Sequence, residues 1–388
     1  MFLVDEDDSL AATPAAAAIL TALLTEGPQS RVALARRLGL SSAAITKAAR
    51  PLIDAGYLAE LAATERSGPG AGRPASPLTI QSDREFFVGV KLTADELIGV
   101  VCDLTAQVRA VAHRPLVSAE VDDVLAEIGL MVADLLANPD GYRARTARLG
   151  LAVSGDVDRS TGQVRYSPFL RWHDVPLGKL VAADTGLVVT VENDVKALTA
   201  AEHWFGEGVG AESFALVTVG SGIGCGLVIN GRLVSGSQGV AGEIGHLGVD
   251  ANGPDCHCGS RGCVEAIAGT QAIVAQVRAR TGRAELSIDD AVALARGGDD
   301  RAQAVFERAG TAIGLGIAAV ANLVGPARIV VSGEGLSAYD LFEPHIRAGF
   351  ERQAFGAAID CPLSIRPLPF EQWARGAAAV SIQTRIVP

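Results

Sequence analysis

The chain has 388 residues, 49% of them hydrophobic and 20% charged, with a net charge of −11. That length implies two or three domains, and the composition excludes a disordered chain, while the 44 glycines follow no collagen-like period. No run of about 18 uninterrupted apolar residues occurs. The start MFLVDEDDSL also lacks the basic residues of a signal peptide, so a cytoplasmic protein without a membrane span is expected.

The charge is uneven. Between Ser9 and Ile80, seven basic residues face four acidic ones, a local balance of +3 that suits a small DNA-reading module fused to an acidic remainder. Thr13-Pro14 opens a helix that Gly27 stops. A second helix follows Ser30, with Val32, Leu34 and Leu38 as apolar contacts and Gly39 as its stop. The third starts after Ser41, its Ile45, Ala49 and Leu52 inward and its Ser42, Thr46, Lys47 and Arg50 outward. Two short helices joined by a glycine turn predict a helix-turn-helix, with the second of the pair as reader. Pro51 predicts a bend after Arg50. Two short strands, at residues 57–61 and 77–80, enclose the segment RSGPGAGRPAS, whose Arg66 and Arg73 make it a wing suited to phosphate or a minor groove.

Residues 81–200 read as an α/β lobe: strands at 86–90 and 97–101, a helix at 121–136, and further strands at 147–153 and 187–192. The stretch from Gly150 to Leu177 holds turn glycines and a polar loop near a strand end, where ligands sit in such sheets. Glu192-Asn193-Asp194 either reach that crevice or cap the next helix. Residues 201–388 read as a second α/β lobe, whose last helix is placed to return to the first. Its strand 215–219 runs into the glycine-rich GSGIGCG, and Asn230-Gly231 predicts a type I′ hairpin. GTAIGLGIAAVANLVGP is a glycine-bearing helix suited to tight packing. The strand in ARIVVSGEGLSAYD ends in a glycine turn that could face a ligand.

The densest stretch is Gly242 to Gly269. It gathers His246, a Cys256-x-Cys258-x4-Cys263 run, Glu243 and Glu265, and sulfur and imidazole at such spacing suit a closed tetrahedral zinc site. The other three cysteines, Cys102, Cys225 and Cys361, stand alone in apolar surroundings and read as reduced thiols.

With these pieces in place the chain resembles the ROK family, bacterial repressors and sugar kinases sharing a two-lobed, actin-like (ribonuclease H-like) ATPase-type fold. The resemblance rests on GSGIGCGLVINGRLVSGSQGVAGEIGHLGVD followed by CHCGSRGCVE. A winged helix-turn-helix at residues 1–80 is what the family's regulators carry and its kinases lack. The resemblance implies a structural Zn²⁺ held by His246, Cys256, Cys258 and Cys263, and the alternation of its neighbours points His257 away as a bystander. It implies sugar contacts from Gly155, Asn193, Asp194, Glu243, His246 and Glu265, with Asp194 matching the kinases' general base.

Two departures stand out. The family's kinases carry Asp-x-Gly-Gly-Thr-Lys where this chain reads Val90-Lys91-Leu92-Thr93-Ala94-Asp95, which removes an Mg²⁺-binding Asp and both phosphate-loop glycines. Phe169 stands where the family often has a sugar-facing Asn. The expectation is a non-enzymatic, sugar-responsive regulator, most simply a repressor. It acts as a homodimer or homotetramer on operator DNA, a sugar or sugar derivative closing the lobes to change operator affinity. The rivals are a sugar kinase with a DNA-binding tail and a ligand-independent DNA-binding regulator.

Overall fold

The computed structural model describes residues 10–11, 13–62, 76–137 and 141–387. They form two compact units, residues 1–210 with 371–388 and residues 211–370.

In the first unit, α1 (Pro14–Glu26), α2 (Arg31–Leu38) and α3 (Ser42–Asp54) start on Thr13, Ser30 and Ser41, whose side chains accept from the N–H groups of Ala16, Ala33 and Ala44. Gly39 ends α2 at φ 64°, a left-handed turn that glycine adopts freely. Leu34, Ile45, Ala49 and Leu52 are buried. Val32 is 64% exposed, against expectation, because it lies about 200° around α2 from Leu34. Pro51 does not end the helix, which runs on to Asp54; only the Lys47 carbonyl loses its usual donor, on an exposed face. Antiparallel β1 (Leu58–Glu60) and β2 (Leu78–Ile80) complete the winged module.

A five-stranded sheet follows in the order β10-β6-β3-β4-β5. Its strands are β3 (Phe86–Leu92), β4 (Glu96–Asp103), β5 (Val108–Pro115), β6 (Thr146–Val153) and β10 (Val188–Asn193). Strands β3, β4 and β5 form an antiparallel meander, while β6 and β10 add in parallel. Alternation along β3 sends Phe86, Val88, Val90 and Leu92 to the side of α4 (Val121–Leu136) and α5 (Leu177–Thr185). Phe87, Gly89 and Lys91 point to the opposite face, which α12 (Glu371–Ile386) covers. Gly89 and Gly150 let α12 lie flush, since a Cβ at either would strike the Ala374 or Ala377 carbonyl.

Residues 156–175, expected as a loop, instead form a small antiparallel sheet of β7 (Asp156–Asp158), β8 (Gln163–Ser167) and β9 (Trp172–Val175). Their polar alternation hid them.

The winged module shares its core with this lobe. Ile19, Leu20, Leu23 and Leu78 pack in one cluster with Phe87, Ile98, Trp204 of α6 (Asp194–Phe205), and Ile382 and Ile386 of α12. The segments on either side of residue 80 thus share one core cluster and one compact unit. The boundary after Ala200 cuts α6, and the unit ends instead at Gly210; the last helix belongs to the first unit.

The second unit repeats the sheet connectivity: β13 (Arg232–Leu233), β12 (Ile223–Ile229), β11 (Phe214–Val219), β14 (Arg328–Ser332) and β15 (Leu363–Ile365) in that order, three antiparallel strands and then two parallel ones. Asn230 and Gly231, at φ 52° and 71°, make the expected tight hairpin. α7 (Val264–Ala268), α8 (Thr270–Thr281) and α9 (Ile288–Arg296) pack with α10 (Asp300–Val324). α10 is long and apolar enough to cross a membrane, but Val305, Phe306, Ile313 and Ile317 lie in this unit's core. Gly310 and Gly314 bring it against α11 (Tyr339–Gln353).

Candidate functional site

In the first unit the predicted ligand residues meet at the junction of β10 and α6. Asn193 caps α6, its Oδ1 accepting from the Lys196 N–H at 3.1 Å, while its Nδ2 donates to the Gly155 carbonyl at 3.0 Å. The cap reading holds for this residue, and its amide also reaches the loop at Gly155. Gly155 sits at φ 120°, and a Cβ there would strike the Tyr166 carbonyl.

Asp194 is 7% exposed and its Oδ2 binds the ammonium of Lys91 and the hydroxyl of Ser154, while Oδ1 accepts from Val195 N–H at 2.9 Å. Burial alone would raise its pKa, but the Lys91 charge and these hydrogen bonds hold it below the usual carboxylate value. Glu192 is also buried. Burial pushes its pKa up, against the Arg159 guanidinium 3.4 Å away. Phe169 is 47% exposed, in the turn between β8 and β9.

The turn from β3 to β4 has no free glycine amides. Thr93 Oγ1 accepts from the N–H groups of Asp95 (3.4 Å) and Glu96 (3.0 Å), and Thr93 N–H donates to the Glu96 carbonyl. The corresponding turn of the second unit, Gly220-Ser221-Gly222, is closed in a similar way. Ser221 N–H donates to Glu334 Oε1 at 2.7 Å, and a Cβ on Gly220 would meet that carboxylate.

The cysteine-rich stretch of the second unit gathers as expected. One ligand atom each from His246, Cys256, Cys258 and Cys263 lies within 4.8 Å of the others. Cys256 Sγ is 3.6 Å from His246 Nδ1, and Cys258 Sγ is 3.8 Å from Cys263 Sγ. Cys256 N–H donates to the Ser260 carbonyl at 2.8 Å, closing a turn in which Gly259 takes φ 87°. That turn overturns the expectation for His257, because strand alternation does not operate inside it. The His257 ring packs on His246 at 5.0 Å between centroids, and its Nε2 lies 3.4 Å from Glu265 Oε1. Glu265 Oε2 accepts from Ile223 N–H at 3.0 Å, which ties α7 to β12. Glu243 is exposed and opens the turn that carries His246. Gly242 and Gly245 press that turn on β12, against the carbonyls of Cys225 and Ile223.

On the winged module, Ser42, Thr46, Lys47 and Arg50 share one exposed face of α3, which with Ala43 and Pro51 lines a shallow open groove. Arg50 is ion-paired with Asp54 at 3.0 Å. Arg66 and Arg73 lie outside the described residues. Sequence reasoning missed Ser154, Trp373 and the Glu334 contact, all brought in by tertiary folding from distant segments.

Residues 87–383 match the ROK family, and residues 17–59 match a winged helix-turn-helix DNA-binding family. The N-acetylglucosamine repressor of Escherichia coli is 30% identical over 343 residues, 85% of this chain and 83% of that one. A glucokinase of Thermotoga maritima is 35% identical over 266 residues, covering 65% of this chain and 82% of the enzyme. Among solved structures, a ROK transcriptional regulator described as a homologue of the E. coli Mlc protein superimposes with a TM-score of 0.82 at 30% identity, over 98% of this chain and 97% of the other.

Proposed function

This chain belongs to the ROK family, and from that footing we propose that it is a sugar-responsive transcriptional repressor, not a sugar kinase. The observation that carries the reading is the continuous core from the reader module to the ligand residues. α6 starts at Asp194, capped by Asn193, and near its end carries Trp204, which shares a core with Ile19 and Leu23 of α1. A ligand that moves the start of α6 therefore acts on the helix-turn-helix without an intervening flexible linker.

The effector is a sugar or sugar derivative, with Gly155, Asn193, Asp194, Glu243, His246 and Glu265 as its proposed contacts. Carboxylates and amides suit it, because they accept and donate to hydroxyls in fixed directions. The protein acts in the cytoplasm, as a homodimer or homotetramer on an operator. Ser42, Thr46, Lys47 and Arg50 contact bases or phosphates, with Arg66 and Arg73 reaching from the wing. Two reader helices in successive major grooves require half-sites about 34 Å apart.

Zn²⁺ is the metal the cysteine cluster fits. A tetrahedral ion with Zn–S of about 2.3 Å and Zn–N of about 2.05 Å sets S···S near 3.8 Å and S···N near 3.6 Å, which are the separations of Cys258–Cys263 and Cys256–His246. With four protein ligands no position is left for water, so the ion's contribution is structural: it fixes the chain between His246 and Glu265.

The glucokinase similarity favours the rival reading, and the phosphate-facing groups argue against it. Lys91 neutralises the carboxylate that would act as base. In the first turn the amides of Asp95 and Glu96 are bonded to Thr93, in the second that of Ser221 is bonded to Glu334, and the Glu334 carboxylate repels phosphate.

The test is operator binding. A duplex selected by the chain from a random library should lose affinity on adding the right member of a panel of hexoses, amino sugars and pentoses. A coupling of about 1–3 kcal/mol gives a 5–150-fold loss. ATP-dependent phosphorylation of a panel sugar at ordinary enzymatic rates, or DNA binding indifferent to every sugar, would overturn the reading.

A further inference from the structure

Lys91 is the residue whose chemistry the repressor reading leaves unused. Strand alternation on β3 aims it at the α12 face, where it is 5% exposed. Its ammonium has three N–H donors and three surroundings: the carboxylate of Asp194, the hydroxyl of Ser154 at 3.1 Å, and the face of the Trp373 indole, 5.5 Å from the ring centroid. These partners come from the start of α6, the end of β6 and the first turn of α12. A buried cation in such a place is costly unless all its partners are present, so the four groups form one unit.

The count of acceptor positions at Asp194 is informative. Two carboxylate oxygens offer about four hydrogen-bonding positions, of which Lys91, Ser154 and the Val195 N–H occupy three. One remains on Oδ1, suited to a donor such as a sugar hydroxyl. α12 in turn reaches the winged module: Ile382 and Ile386 pack in its core, and Arg385 lies 3.3 Å from Glu85, which accepts from the Tyr57 hydroxyl at 2.8 Å.

We propose that Lys91 is a positioning residue of the effector site, fixing Asp194 as a hydrogen-bond acceptor for a ligand hydroxyl and tying that carboxylate through Trp373 to α12 and so to the winged module. The inference rests on the sugar-effector reading. Lys91 supplies an internal cation beside Asp194, and the carboxylate that would take a proton becomes half of a fixed ion pair.

A double-substitution cycle in the full chain tests the pair, and a sugar response tests its role. Lys91→Met and Asp194→Asn each leave one buried charge unpaired, so each should lower the melting temperature by at least about 4 °C, and the double variant by clearly less than the sum. An additive cycle overturns the proposal. N-acetylglucosamine, glucose and xylose are the sugar probes. Lys91→Met should reduce the sugar-dependent change in operator affinity at least about 10-fold, and the charge-keeping Lys91→Arg should restore part of it. Ser154→Ala removes one link of the same unit and should cut the response about threefold or more, which keeps the test open if Lys91→Met fails to fold. A response in Lys91→Met or Ser154→Ala within about twofold of the unsubstituted chain overturns the role of Lys91 alone. An unsubstituted chain that answers none of the three sugars sinks the effector reading itself, and the proposal with it, whatever the cycle shows.

Discussion

Arg50 offers the sharpest test of the DNA interface. Its side chain is 73% exposed and its ion-pair partner Asp54 57% exposed, so the pair contributes only about 0.3–0.5 kcal/mol and yields readily to DNA. If Arg50 reaches a base edge, Arg50→Ala should weaken operator binding by about 1–3 kcal/mol, a 5–150-fold loss, and leave scrambled DNA nearly unaffected. If it reaches a phosphate, binding to both duplexes should fall and the slope of log K against log salt should shrink by about 0.9. Asp54→Ala removes a carboxylate from the same face and frees Arg50, so it should tighten binding about twofold. Fluorescence anisotropy on operator and scrambled duplexes between about 50 and 200 mM salt separates these outcomes. An Arg50→Ala chain with unchanged affinity and slope would refute α3 as the reader.

Three further predictions concern the supports of the sites. Gly89→Ala drives a methyl into the Ala374 backbone of α12, while Gly99→Ala meets only side-chain atoms, of Met131 and Leu135. The first should cost about 1–3 kcal/mol, or roughly 2–12 °C in melting temperature, and the second clearly less; equal shifts would contradict the flush docking of α12. Cys258→Ser should lower bound zinc, measured by mass spectrometry, and weaken the sugar response before operator binding is lost; normal metal content with a normal response would refute the zinc assignment. Glu192 has its pKa raised on folding, so the folded chain holds that proton more tightly than the unfolded one. Stability from this group is therefore present below the unfolded carboxyl pKa and is lost as pH rises through the folded value. Glu192→Gln should remove that part of the pH slope and melt higher than the parent at pH near 7; the same slope in both chains would contradict it.

What was legible in the sequence had local causes. The caps Thr13, Ser30 and Ser41, the glycine stops, the Asn230-Gly231 hairpin and the cysteine spacing each act within a few residues, and each stands where the sequence puts it. Long-range partners were not legible. Nothing near Lys91 announces Ser154, Asp194 and Trp373, which lie 63, 103 and 282 positions further along the chain. His257 was misread because a period of two was carried into a tight turn. The sheet at residues 156–175 was missed because both faces of its strands carry polar residues.

The repeated sheet makes the two turns comparable. In each unit the first two strands are joined by a tight turn, and each turn is closed by a side chain of the protein itself. Thr93 supplies a hydroxyl in the first unit and Glu334 a carboxylate in the second. A phosphate arriving at the first turn must displace a neutral acceptor, whereas at the second it must displace an anion held by the same N–H. The second turn is therefore the stronger barrier to nucleotide, and Glu334→Gly alone should raise affinity for a nucleotide triphosphate more than Thr93→Gly alone. Equilibrium dialysis with labelled nucleotide measures both. The reverse order would mean that the loss of the motif's acid on β3, and not the filled amides, keeps phosphate out.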